Sequence, residues 1–236
     1  MARVSRRWLR CTGRRAYDRP GYGGSDARPG RDVGSAAVDV AAITDALGID
    51  RFAVMGHSSG GPRALACAAI LPDRVAAAVS GAGLAPFDAD GLDWFAGMAP
   101  AGEAGLRAAA AGRGAKERHE AQGLELDIGF IPADLASLEG DWSWFGSVVG
   151  PAMAAGPAAL IDDDLAHVQP WGFDPATITV PVLLLHGTLD RVVPAAHAEW
   201  LAARIPTAEL RLEPGEGHIS ILNHAADALE FLARHA

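Results

Sequence analysis

The stretch Arg51-Phe52-Ala53-Val54-Met55-Gly56-His57-Ser58-Ser59-Gly60-Gly61, which continues as Pro62-Arg63-Ala64-Leu65-Ala66-Cys67-Ala68-Ala69-Ile70-Leu71, decides the fold. A short apolar run meets a glycine-flanked serine, and an alanine-rich run with helical potential follows at once. The pattern predicts a buried strand, a tight turn and a helix. In the turn Gly56-x-Ser58-x-Gly60, the glycines remove side chains that would collide, and Ser58 takes a strained conformation.

This turn would present the Ser58 hydroxyl above the end of the strand, next to the N-terminus of the following helix. Free N–H groups at a helix N-terminus bind a developing negative charge. We therefore expect Ser58 to be a nucleophile and the backbone N–H of Ser59 to donate to an oxyanion. Because 28 glycines are spread over the chain, the pentapeptide alone is weak support, and the rest of the sequence has to supply a base and a carboxylate.

Length and charge narrow the class of protein. The chain has 236 residues, enough for a sizeable core, and a formal net charge of -9, which argues against a nucleic-acid partner. No apolar run reaches membrane-spanning length, so we expect no membrane partner. Two cysteines, Cys11 and Cys67, do not make a disulfide framework, and His119 and His167 lack further ligands at metal spacing. We expect no metal and no cofactor.

The N-terminal 15 residues contain six arginines and no acid. They lack the apolar stretch of a secretory signal and the long Ser-rich amphipathic segment of a transit peptide. We expect an irregular N-terminus over residues 1–15 and a cytoplasmic protein.

Further along, apolar periodicity predicts helices and strands in alternation. Residues 16–18 read as the end of a strand, and the later elements are predicted at 33–47 (helix), 74–80 (strand), 179–187 (strand), 195–205 (helix), 208–213 (strand) and 221–233 (helix). Strands separated by helices indicate a mostly parallel, doubly wound α/β sheet with its ligand site beyond the carboxyl ends of the strands. We assign residues 16–85 and 170–236 to this core and residues 86–169, which read as short helical pieces, to a helical cap.

A serine nucleophile needs a histidine base held by a carboxylate. Asp190 follows the most apolar strand, and His218 follows the last strand in Gly215-Glu216-Gly217-His218. We expect Ser58, Asp190 and His218 to be the catalytic residues. The alternatives are the acidic run Asp162–Asp164 for the acid and His224 for the base. His57, next to Ser58, is expected to support the catalytic residues or to be structural.

Four stretches resemble landmarks of the α/β-hydrolase superfamily: Asp-Arg-Pro-Gly-Tyr-Gly-Gly-Ser from Asp18, Gly-His-Ser-Ser-Gly-Gly from Gly56, His-Gly-Thr-Leu-Asp-Arg-Val-Val-Pro from His186, and Gly-Glu-Gly-His from Gly215. The order Ser58, Asp190, His218 is also the order of that family. The resemblance covers about residues 16–85 and 170–236. It implies an α/β-hydrolase fold and a serine hydrolase that needs no cofactor.

One family feature has no counterpart in the sequence. In the family an earlier strand ends in a His-Gly loop that donates the second oxyanion N–H, whereas only fifteen residues precede Ala16 and contain no such loop. The resemblance therefore implies a sheet that lacks its first strands, an N-terminal truncation relative to the family. A missing neighbour would leave backbone groups of the elbow strand unpaired.

The predicted cap carries aromatic residues, namely Trp94, Phe95, Phe130, Trp142, Trp144 and Phe145. Such residues either form the core of the cap or line an apolar acyl pocket. We predict substrate contacts for Trp142, Trp144 and Phe145.

Taken with the resemblance, the motifs predict an enzyme that cleaves a small ester or related acyl substrate through an acyl-serine intermediate. Peptidase, C–C hydrolase, perhydrolase and lyase chemistry use the same serine and stay open. The alternative from a different class is a catalytically impaired or non-catalytic hydrolase-like protein, because the His-Gly loop is missing.

Overall fold

A computed structural model describes residues 13–235, so the predictions for residues 1–12, including Cys11, lie outside the described part of the chain. Within it the strands are β1 (Phe52–His57), β2 (Val75–Gly81), β3 (Val182–Gly187) and β4 (Ala208–Glu213). The helices are α1 (Ser35–Ala46), α2 (Gly60–Ile70), α3 (Pro100–Ala110), α4 (Arg113–Ala121), α5 (Pro132–Glu139), α6 (Gly146–Met153), α7 (Ala158–His167), α8 (Ala196–Arg204) and α9 (Ala225–His235). Short 3₁₀ helices span Pro175–Thr177 and Ser220–His224.

The four strands form one sheet in the order β1-β2-β3-β4, and all three pairings are parallel. Successive residues of β3 face opposite sides, because side chains alternate along a strand. Val182 and Leu184 join a core with residues of α1, α2 and α8, while Leu183 and Leu185 join a second core with Phe231 and other residues of α9. Helices therefore cover both faces, as a doubly wound sheet requires.

The elbow strand β1 lies at an edge of this sheet. Its one pairing partner within residues 13–235 is β2, and its residues are half-buried or exposed, with Met55 38% exposed. β2 and β3, by contrast, are buried along their whole length. β1 is therefore an edge strand of the sheet that the described residues form.

The helices α3 to α7 lie between β2 and β3 in the chain, within the segment 86–169, which we call the insertion. Trp94 and Phe95 pack edge to face with Phe87, and Trp94 joins a buried cluster with Leu84 and Val193. These two aromatic residues therefore belong to a core between the insertion and the sheet. No helix among the described residues is both long and apolar enough to span a bilayer.

Two predicted elements differ from the structure. Residues 13–19 are irregular rather than the end of a strand, and they pair with none of the four strands of the described residues. The predicted helix 221–233 divides into the 3₁₀ helix Ser220–His224 and α9. The division falls between His224 and Ala225.

Candidate active site

Ser58 sits in a nucleophile elbow between β1 and α2. Its φ of 54° is in the left-handed region, which non-glycine residues rarely adopt. The turn is fixed by its backbone, because Ser58 N–H donates to the Gly81 carbonyl at 2.7 Å and Gly61 N–H donates to the Ser58 carbonyl at 2.8 Å. A Cβ on Gly56 would collide with the backbone of Gly60. The close crossing of strand and helix therefore requires glycine at position 56.

The structure brings the three predicted catalytic side chains together. His218 Nε2 lies 2.9 Å from Ser58 Oγ, and His218 Nδ1 lies 2.8 Å from Asp190 Oδ2. A carboxylate can only accept, so Nδ1 carries the proton and Nε2 is left to accept from the serine hydroxyl. The arrangement can remove a proton from Ser58 without any further movement.

Asp190 is oriented by the loop that follows β3. Its Oδ1 accepts from the backbone N–H groups of Val192 and Val193 at 2.8 and 2.9 Å, which leaves Oδ2 for His218. Burial by itself would raise the pKa of Asp190, but His218 and the nearby His186 hold that pKa well below its usual range. The carboxylate therefore stays ionised and favours a positive charge on His218.

His57, the last residue of β1, contacts His218. Its Nε2 lies 2.7 Å from the His218 carbonyl oxygen, so the ring donates there, and the two rings are 4.9 Å apart. Burial, reinforced by the nearby His218, lowers the pKa of His57 to about 3. His57 is consequently neutral at pH 7 and holds the backbone of His218 without competing for its proton.

Ser59, the predicted oxyanion donor, is held by side chains rather than by the turn alone. Arg63 Nη1 donates to the Ser59 carbonyl at 2.5 Å and to Ser59 Oγ at 2.7 Å, and Ser59 Oγ lies 3.0 Å from His167 Nε2. Burial, followed by the charge of Arg63, lowers the pKa of His167 to about 3, so the ring is neutral at pH 7. Arg63 Nη1 can only donate and lies 3.3 Å from Nε2, so Nε2 is the acceptor nitrogen and Ser59 Oγ donates to it. These contacts hold Ser59, whose N–H would donate to an oxyanion.

Behind Ser59 lies a buried group of charges that joins the core to α7 of the insertion. Asp163 accepts from Arg19, Arg31 and Arg63 at 2.6 to 2.8 Å, and Tyr22 Oη donates to it at 3.1 Å. Burial by itself would raise the pKa of Asp163, but the three guanidinium groups hold it well below its usual range. Loss of this carboxylate would leave those arginines without their shared partner.

Asp163→Asn is therefore expected to lower the free energy of unfolding by about 3 to 5 kcal/mol at pH 7, because breaking a buried ion pair leaves uncompensated charge. The native pKa is depressed, so the stabilisation is present above the unfolded value near 4 and is lost as pH falls below it. The difference between wild type and variant, measured by urea unfolding from about pH 6 down to about pH 3, should shrink with acidification. Asp45→Asn, whose side chain is 66% exposed opposite Arg74, is the control and should cost less than about 1 kcal/mol. An equal loss in both variants would contradict the prediction.

A cavity of about 340 Å³ opens at Ser58. Besides Ser58 and Ser59, it is lined by apolar and charged side chains from the core and the insertion, among them Arg19, Leu84, Leu106, Lys116, Asp164 and Val193. Trp142, Trp144 and Phe145, by contrast, cluster together near the surface, with Trp144 52% exposed, and are not among these lining residues. Their contact with substrate stays a prediction.

The alternative acids and the alternative base bind partners other than Ser58. Asp162 and Asp163 bond to arginines, and Asp164 pairs with Lys116 at 2.6 Å. His224 faces Glu213, Glu216 and Asp227 at 3.5 to 3.7 Å. Within residues 13–235, His218 lies within hydrogen-bonding reach of both Ser58 and Asp190.

Comparison with known proteins identifies the family of the chain. The sequence profile of the Alpha/beta hydrolase family matches residues 2–233. The chain belongs to this family. A non-heme chloroperoxidase of Streptomyces lividans is 32% identical over 228 residues, which cover 89% of this chain and 76% of that protein. A pimeloyl-[acyl-carrier protein] methyl ester esterase of Aromatoleum aromaticum is 38% identical over 76 residues, 32% of this chain and 28% of that protein.

Solved structures of α/β hydrolases share the fold. The esterase RhEst1 from Rhodococcus sp. ECU1013 superposes with a TM-score of 0.64 at 22% identity, covering 92% of this chain and 78% of that one. The enol-lactonase from Burkholderia xenovorans LB400 gives a TM-score of 0.62 at 22% identity, covering 91% and 77%. The α/β-hydrolase fold predicted from the sequence motifs is confirmed, and the protein is an enzyme of this family.

Sequence reasoning missed three residues that hold the site. Arg63 could have been noticed in the sequence, since it is the one charged residue of helix α2, whose other residues are small or apolar. No sequence pattern indicated His167, because it lies 108 positions from Ser59 in the chain. Asp134, which binds the chain just after His218, looked only like an acid in the first turn of α5.

Proposed function

We propose that the protein is a serine hydrolase that cleaves a small ester or a related acyl substrate through an acyl-serine intermediate. The observation that carries the proposal is the continuous hydrogen-bonded series from Ser58 Oγ through His218 to Asp190, at the lining of a cavity. A serine hydroxyl is a weak nucleophile, and a hydrogen-bonded imidazole oriented by a carboxylate is what activates it.

In the first half of the reaction, Ser58 Oγ attacks the acyl carbon while its proton passes to His218 Nε2. Asp190 stabilises the imidazolium that forms and keeps its proton on Nδ1. The carbonyl oxygen of the substrate becomes an oxyanion, to which the Ser59 N–H donates. The tetrahedral intermediate then expels the alcohol, which takes the proton from His218 Nε2 and leaves the acyl group on Ser58.

In the second half, His218 Nε2 takes a proton from water, and the resulting hydroxide attacks the acyl-serine. Collapse of the second tetrahedral intermediate releases the acid and returns the proton to Ser58. Substrate and water are the sole reactants, so the reaction balances without a cofactor. Each half of the reaction takes one proton up at His218 Nε2 and releases one from it, and these four transfers at one nitrogen account for the need to hold His218 firmly.

The size of the cavity favours a short acyl group. About 340 Å³ is near the lower end of the volume of small-molecule pockets, and charged side chains interrupt the apolar lining. Among p-nitrophenyl esters, kcat/KM is expected to be at least about tenfold higher for the acetate or butyrate than for the decanoate, which corresponds to about 1.4 kcal/mol. Initial rates across the ester series measure this ratio. A preference for the decanoate would contradict the assigned substrate size.

Labelling with a fluorophosphonate tests the proposed chemistry directly. Folded protein should react at one residue, and mass spectrometry of peptides should find the label on Ser58. Folded protein that takes up no label, and hydrolyses none of the esters, would instead favour the non-catalytic alternative.

A perhydrolase is the second candidate, favoured by the similarity to a protein named as a non-heme chloroperoxidase. Here hydrogen peroxide replaces water and attacks the acyl-serine, which yields a peracid in place of the acid. Peracid formed per ester consumed, measured with and without hydrogen peroxide, separates the two reactions.

We propose further that the insertion is the cap over this site, since its residues Leu106 and Lys116 line the cavity together with Ser58.

A further inference from the structure

Asp134, on α5 of the insertion, is a fully buried carboxylate at 0% exposure. Its Oδ1 accepts from the backbone N–H groups of Ile219 and Ser220, both at 2.8 Å, and its Oδ2 accepts from the Ile131 N–H at 3.0 Å. Across the described chain, no Lys, Arg or His nitrogen lies within 4.0 Å of this carboxylate. Backbone N–H groups alone therefore compensate the burial of its charge.

Two of the three N–H groups that Asp134 binds belong to the residues directly after His218. Asp134 also packs closely against Gly217, the residue before His218, because a Cβ at this position would collide with the carboxylate. Gly217 N–H donates to Ser220 Oγ at 2.7 Å, which closes a tight turn around the histidine. Asp134 thus contacts the backbone on both sides of His218.

The loop that carries His218 depends on such outside contacts. β4 ends at Glu213, and Gly215 adopts a φ of 84°, so the chain between the strand and His218 is a turn without regular structure. His57 holds the carbonyl of His218 from the core side, and Asp134 holds the following N–H groups from the insertion side. Hydrogen bonds to an ionised acceptor are about twice as strong as neutral ones. The bonds from Asp134 to the histidine loop are therefore stronger than the bond from His57 to the His218 carbonyl.

We propose that Asp134 is a positioning residue for His218: the insertion supplies a buried carboxylate that fixes the histidine loop at the distance from Ser58 that proton transfer requires. Asp134 is not one of the residues that line the Ser58 cavity within residues 13–235, so it acts through His218 and not by touching substrate. This inference rests on the proposed serine hydrolase activity.

The position predicts a characteristic kinetic effect. Displacement of a catalytic group by about 1 Å costs on the order of 100-fold in rate, whereas substrate binding in the cavity is unaffected. Loss of Asp134 should therefore lower kcat and leave KM nearly constant. A residue that merely stabilised the fold would reduce the amount of active enzyme and the melting temperature without this selective loss per folded molecule.

A matched control comes from a neighbouring contact between the same two elements. Asn223, in the 3₁₀ helix, donates to Ser137 Oγ at 3.1 Å and accepts from Trp142 Nε1 at 3.0 Å. Asn223→Ala removes these bonds between the insertion and the 3₁₀ helix but leaves the N–H groups after His218 untouched. It measures what weaker attachment of the insertion costs by itself.

The experiment compares Asp134→Ala, Asp134→Asn and Asn223→Ala, with kcat and KM on p-nitrophenyl acetate corrected for folded protein by circular dichroism. Asp134→Ala is expected to lose about 100-fold in kcat with KM within about twofold. Asp134→Asn keeps one acceptor oxygen but turns a donor toward Ile131 N–H or toward the histidine loop, and should lose about tenfold. Asn223→Ala should change kcat by less than about threefold.

A kcat for Asp134→Ala no lower than that of Asn223→Ala would overturn the proposal. If the alanine variant does not fold, the asparagine variant decides, and an unchanged kcat there overturns it. Amide hydrogen exchange of residues 214–224 gives a readout that does not need activity, and exchange should be faster in Asp134→Asn than in Asn223→Ala. If wild type neither cleaves esters nor takes up a fluorophosphonate, the proposed function fails, while the exchange data still test the hold on the loop.

Discussion

Ser58→Ala is expected to abolish ester hydrolysis, with kcat falling on the order of 10⁶-fold, because without the nucleophile His218 and Asp190 have no proton to move. Fluorophosphonate labelling should disappear with it. The residual rate would come from oxyanion stabilisation by Ser59 N–H and from binding alone.

The variant should remain folded, which makes the result interpretable. The elbow is held by backbone hydrogen bonds of Ser58 to Gly81 and Gly61, and alanine keeps both. Alanine at a φ of 54° is strained much as serine is. Rates on p-nitrophenyl acetate, labelling and the melting temperature are the measurements, with the exposed serine of α6 as the control variant, Ser147→Ala. Activity of Ser58→Ala within about tenfold of wild type, a barrier change of only about 1.4 kcal/mol, would reject the acyl-serine mechanism.

The core of the fold was predictable because local patterns determine it. The apolar runs that form β2 and β3 are flanked by turn residues. The alternating stretch predicted as a strand at 208–213 coincides with β4. The Ser58 elbow is recognisable for the same reason, since its glycines are needed within a few residues of the serine. Asp190 and His218 follow strands whose carboxyl ends share one edge of a parallel sheet, so their approach to Ser58 follows from topology.

The insertion was less predictable, because its contacts depend on packing between distant segments. Asp134 meets Ile219 across 85 positions, and Arg31 meets Asp163 across 132. A buried acid in the sequence looks the same whether it caps its own helix or binds another loop. Aromatic content also did not reveal location: Trp94 is buried in a core, whereas Trp144 is half exposed.

The site therefore depends on both the core and the insertion. The core places Ser58, Asp190 and His218 through strand and turn geometry, while charged side chains of the insertion hold Ser59 and the loop of His218. Asp163 reaches Ser59 by way of Arg63, and Asp134 reaches the loop of His218 directly. Changes in the insertion should consequently affect kcat as well as substrate choice.

Asp190→Asn is expected to lower kcat on the order of 10⁴-fold with little change in KM, because the amide imposes the wrong tautomer on His218. The N–H groups of Val192 and Val193 point at Oδ1 and require an acceptor there. The asparagine oxygen will take that position and leave its NH₂ group facing His218 Nδ1. Nδ1 then has to accept, the imidazole proton moves to Nε2, and Nε2 can no longer take the proton of Ser58.

The control is Asp174→Asn, since Asp174 Oδ1 likewise accepts a backbone N–H, from Ala176 at 2.9 Å, but at an exposed site. Its kcat should stay within about twofold of wild type, as expected for a surface change worth less than about 0.5 kcal/mol. Steady-state kinetics on p-nitrophenyl acetate, with folding checked by circular dichroism, measure both variants. A loss below about 100-fold in Asp190→Asn, or a loss entirely in KM, would mean that Asp190 does not set the tautomer, since removal of a group that acts only in the transition state lowers kcat.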